Sequence, residues 1–151
     1  MKLTRYFLLL ALMFAAPVQA ENMIMQRVHH NFENTMILVK EKLDEYGYKV
    51  AHIQKCDGGL SDFGYKTDEY RSIFYGKLEE MRYLSANYPL LIPYVPLKIA
   101  VMREKDTVVI VAINPVMFSE FFPQKELGIQ FGRWESDIRA IFEEVAASPR
   151  L

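Results

Sequence analysis

The chain has 151 residues, 18 basic and 19 acidic side chains and a formal charge of −1. So even a balance, with no Lys/Arg run that tracks a phosphate backbone, argues against nucleic-acid binding. The single cysteine, Cys56, cannot form an intrachain disulfide.

The chain starts "MKLTR", with Lys2 and Arg5, then runs through the apolar "YFLLLALMFAA" to "PVQA". A basic start, an apolar middle and small residues before a cut make a secretory signal peptide, with cleavage expected between Ala20 and Glu21. An uncleaved anchor is the alternative, but such anchors usually need about 20 apolar residues. No later stretch is long enough to span a membrane. The expected mature protein is residues 21–151, a single domain, periplasmic or secreted. It is mildly acidic, because the leader removes two basic residues and no acid. A chain of this length can build a core without disulfide staples.

The first strand is expected over 22–30. A helix follows over 31–47, where Phe32, Met36, Val39, Leu43 and Tyr46 form one apolar stripe. Asn31 suits its N-cap and Gly47 its end. Residues 48–55 read as a strand. The stretch "CDGGLSDFGYKTDEY", 56–70, is turn-rich and reads as a loop. A strand over 70–76 and a helix over 77–88 come next, the helix ended by Pro89. Prolines 89, 93 and 96 cannot all lie inside a central strand, so 89–96 is expected to be an extended apolar approach. Two strands, 97–103 and 107–114, then flank a turn at 104–106. Residues 116–122 suit a turn or two of helix. The last helix is expected over 132–147, with Trp134, Ile138, Ile141, Phe142 and Val145 on its buried face and Glu135 and Asp137 near its positive end.

The order β-α-β-β-α-β-β-α describes one compact α+β domain, a mostly antiparallel sheet with helices packed on one face. "VVIVAI", 108–113, is apolar on both parities, as in a strand buried on both faces. The face away from the helices therefore needs cover from a second subunit, a ligand or folded-back loops. A homodimer is the favoured expectation.

The helix closing on "EYGYKV" at Gly47, the entry "IPYVPLKIAVM" with Pro96 before strand 97–102, and "INP" ending at Pro115 resemble the domain of unknown function 302 family over roughly 26–118. The resemblance implies a compact, commonly dimeric α+β fold. It implies no settled activity and carries over no catalytic residue. Residues 56–69 match no part of the family pattern.

Two constellations bear on chemistry. On a strand His52 and Cys56 share a side, but four residues span about 13 Å at ~3.3 Å each. They can meet on one ion only if the chain turns before Cys56, where Asp57 and the glycines after it supply a turn. Such a site would be redox- or ligand-active, or an enzyme with an unrecognised site in loop 56–69. A small thiol buried at a strand end is the simpler reading. Neither CxxC nor CxxCH occurs, which excludes thioredoxin-type exchange and covalent c-type haem. Second, Met23, Met25 and His29 share one parity and His30 the other. Soft thioether and imidazole groups suit copper(I), although Met is also a common core filler.

Nine tyrosines and ten phenylalanines, with the apolar "NYPLLIPYVP", suit an interface or a pocket wall as well as a core. No G-x-S-x-G, HExxH, P-loop or GxGxxG occurs. The sequence reads as a non-enzymatic exported domain binding a small ligand or a periplasmic protein partner, with no cofactor expected. The alternative is a copper- or non-covalent haem-associated protein.

Overall fold

The computed structural model describes residues 22–65 and 68–149; residues 1–20, the expected signal peptide, lie outside them. Five strands, β1 (Met23–Val28), β2 (Lys49–Lys55), β3 (Tyr70–Gly76), β4 (Leu97–Glu104) and β5 (Thr107–Ile113), form one sheet in the order β1-β5-β4-β3-β2. Every neighbouring pair is antiparallel. The helices are α1 (Phe32–Glu45), α2 (Asp57–Asp62), α3 (Leu78–Asn87) and α4 (Lys125–Ala147).

Helix α1 starts as its sequence dictates. The Asn31 side chain accepts from the Asn34 amide at 2.8 Å, which satisfies a donor that has no partner within the helix. It ends where Gly47 takes φ +78°, a left-handed conformation open to glycine. Phe32, Leu38, Val39 and Leu43 are buried, and Met36 and Tyr46 pack at the edge of the core.

Three segments differ from the sequence expectation. Residues 89–96 are not extended: Pro89–Tyr94 is a 3-10 helix. Pro89 at its first turn needs no amide partner, and the tight winding sends Leu91 into the core while Leu90 stays exposed. The turn-rich stretch after Cys56 contains the short helix α2, which Ser61 steadies by donating to the Asp57 carbonyl at 3.1 Å. Helix α4 begins at Lys125, seven residues before the expected start, and runs through Gly128 and Gly132. Leu127 and Phe131 extend its buried stripe, and that packing outweighs the poor helix propensity of the two glycines. Glu135 and Asp137 are therefore mid-helix. Glu135 meets Asn114 and Arg139, and Asp137 accepts from the Tyr48 hydroxyl at 2.7 Å.

The helices cover one face of the sheet. Ile24, Val28, Ile73, Tyr75, Ile99, Val101, Val108, Ile110 and Ala112 point to that side and are buried with Phe131, Trp134, Ile138 and Phe142 of α4. On β5 the opposite face is only partly closed. Val109 is buried and Val111 half-buried, but Ile113 is 51% exposed. The Arg27–Glu104 ion pair reaches from β1 to β4 across β5 and shelters Val109.

Candidate functional site: the open sheet face and a groove in the helical layer

Register defines the open face. Met23, Met25 and Arg27 of β1 lie beside Ile113, Val111 and Val109 of β5. Ala100 and Met102 of β4 lie opposite Val111 and Val109. Tyr70, Ser72 and Phe74 of β3 continue the row. Met23 and Met25 are 53% and 52% exposed, and Phe74, Ala100, Met102 and Val111 are half-buried. The result is an apolar band that no described helix covers, edged by Arg27, Glu104, Lys98 and His52.

His52 and Cys56 both belong to this face but do not meet. The His52 ring lies against Phe74, with centroids 6.0 Å apart. The Cys56 amide still donates to the Tyr70 carbonyl at 3.1 Å, so the chain stays paired with β3 up to Cys56 and turns only after it. The thiol sits 3.5 Å from the Ser72 hydroxyl, half-buried at the corner of the sheet. Asp57 points elsewhere. Its carboxylate pairs with Arg71 at 2.8 Å, and that hydrogen bond, against some burial, holds its pKa below the ordinary range. Arg71 also lies over the Phe32 ring, 5.6 Å from its centroid, tying α2 to β3 and α1.

The Met/His set also spreads out. Met23 and Met25 are neighbours on the open face. Strand β1 ends at Val28, so strand parity does not extend to His29 and His30. His29 is exposed, while His30 is buried with no hydrogen-bond partner for Nδ1. Among the described residues, no group of three or more His, Cys, Asp or Glu side chains is placed to hold a metal ion.

A second feature was not legible in the sequence. Between α3 and α4 lies a groove of about 300 Å³ lined by Glu79, Glu80, Tyr83, Leu84, Leu127 and Gln130, with Glu126 at its rim. The hydroxyls of Tyr83 and Tyr88 donate to the two oxygens of Glu126, at 2.7 and 2.6 Å. These bonds hold the Glu126 pKa below the carboxylate range and push Tyr88 up to about 12. Glu80 is held by Arg133, Trp134 and Gln130, and Glu79 by Arg82. The tyrosines and Glu126 are some 40 residues apart in sequence, and no local motif joins them.

An antiparallel five-stranded sheet layered on one face with helices defines a small α+β domain. The chain matches the domain of unknown function DUF302 over residues 24–145 and belongs to that family. Its fold is similar to the crystal structure of an uncharacterized conserved DUF302 protein from Bacillus stearothermophilus. The TM-score is 0.76 at 17% identity, covering 83% of this chain and 99% of that one. Among curated proteins none matches. No described helix is long and apolar enough to cross a membrane.

Proposed function

We propose that this protein is an exported, non-catalytic binding domain that works as a homodimer, two copies meeting through their open sheet faces. The observation that carries this reading is the apolar band of Met23, Met25, Ile113, Val111, Ala100, Met102 and Phe74, left uncovered beside polar edges. An apolar centre with a polar rim is the usual anatomy of an interface. Five strands at ~4.8 Å spacing and about six residues at ~3.3 Å give a face of roughly 500 Å². Two such faces approach the ~1,000 Å² at which specific interfaces begin. Export is supported by the sequence of residues 1–20. Light scattering of residues 21–151 tests the reading: a species of twice the chain mass at micromolar concentration is expected, and a monomer would contradict it.

The reading needs no cofactor. Protein expressed with copper and haem should purify colourless and metal-free. One tightly held copper per chain would instead favour Met23 and Met25 as soft ligands.

A further inference from the structure

We propose that the end of the domain built from the two 3-10 helices, Pro89–Tyr94 and Pro115–Glu120, docks on the surface of a lipid bilayer. This rests on the export reading above but not on the dimer, and it uses a surface other than the open sheet face. Four large apolar side chains stand out there. Leu90 is 79% exposed, Phe121 64%, Ile92 48% and Tyr94 42%. The Tyr94 ring stacks on Phe121, with centroids 6.5 Å apart, and also meets Phe118 and Phe122, which tie it to the core. No charged residue occurs from Tyr88 to Leu97 or from Asn114 to Ser119. Aliphatic and aromatic groups side by side, without charge, match the interfacial zone of a bilayer. Glu120 and Lys125 flank the patch with opposite charges, so apolar burial rather than headgroup charge drives the contact.

The point where the chain enters the domain selects the occupant. The Asn114 amide donates to the Asn22 carbonyl at 3.0 Å, so the chain enters beside the start of the second 3-10 helix. Strand β1 begins, β5 ends and β4 begins at this same end of the sheet. At a rise of ~2 Å per residue, Phe121 lies about 14 Å beyond Asn114. Only Glu21 and Asn22 separate the expected cleavage site from β1, a reach of about 11 Å at most. The apolar leader segment 6–16 is held by the membrane until the chain is cut. So short a tether delivers the folded domain with this end against the bilayer.

The test is co-sedimentation of residues 21–151 with vesicles of phosphatidylcholine alone and of phosphatidylcholine with phosphatidylglycerol. Both should bind the protein to a similar extent, and half-molar salt should leave binding in place. The double variant Leu90→Ser/Phe121→Ser should bind at least about tenfold more weakly. Ile37→Ser, an exposed apolar position on α1, should bind like the native chain. Both altered side chains of the double variant are mostly exposed, so its thermal unfolding should match the native protein. A Leu90→Trp variant adds an independent readout, and its emission should shift to the blue on vesicles. No binding, binding only to the anionic vesicles, or equal losses in the double variant and Ile37→Ser would each overturn the proposal. So would a double variant that halves the native mass in light scattering without vesicles, because a second copy would then cover this end. Purified residues 21–151 carry no leader, so a failure here is separate from a failure of export, which the mass of the protein recovered from cells reports.

Discussion

Tyr75 and Tyr48 meet edge to face with ring centroids 5.2 Å apart, yet their hydroxyls differ in kind. Tyr48 donates to Asp137 and carries Lys77 4.4 Å above its ring. Tyr75 is fully buried, and its hydroxyl has no hydrogen-bond partner. A buried hydroxyl that has lost water and found no partner is a cost. Tyr75→Phe should therefore leave stability unchanged or raise it by up to about 1–2 kcal/mol, whereas Tyr48→Phe should lose about 1 kcal/mol or more. Chemical denaturation of the two variants checks this contrast, and a destabilised Tyr75→Phe would show that the hydroxyl is bonded.

The Tyr88–Glu126 bond predicts two pH windows. The Tyr88 pKa is raised from 10.0 to about 12, so its stabilising contribution is complete below pH 10 and is lost as pH rises through about 12. The Glu126 pKa is lowered from 4.5, so its contribution is present above pH 4.5 and is lost as pH falls through the depressed value. Phenolate absorbance should show Tyr88 titrating late, and Glu126→Gln should bring that titration back toward 10.

At the scale of elements, strands and the α1 cap were legible because they depend on local chemistry. Asn31, Gly47 and the apolar, β-branched runs of 97–103 and 107–114 around a polar turn each point to one structure. The 3-10 turn at Pro89–Tyr94 and the early start of α4 were not, because tertiary burial of Leu91, Leu127 and Phe131 decides both. The candidate residues split in the same way. Strand period put His52 and Cys56 on one side, and in the structure each has its own neighbour there, Phe74 for His52 and Ser72 for Cys56. It could not show that the open face is assembled from four other strands, nor that Glu126 meets two tyrosines of another segment. Phe131 tests the extended α4. Its ring packs on Phe118, Phe122 and Trp134, so Phe131→Ala should cost about 3–5 kcal/mol in thermal or urea unfolding. A loss below about 1 kcal/mol would be the mark of a loop residue.

For the whole molecule, the sheet divides the labour. One face holds the core against α1 and α4, and the other presents apolar side chains that, Val109 apart, stay half-buried or exposed in a single copy. Dimerisation and folding should therefore respond to different substitutions. Val111 lies at the middle of the band, between Met25 and Ala100. The most direct measurement is sedimentation equilibrium of residues 21–151 beside its Val111→Lys variant, with thermal unfolding of both. The account predicts a dimer for the native chain and a monomer for the variant, the variant remaining cooperatively folded. A native monomer, or a variant that stays dimeric, would contradict it.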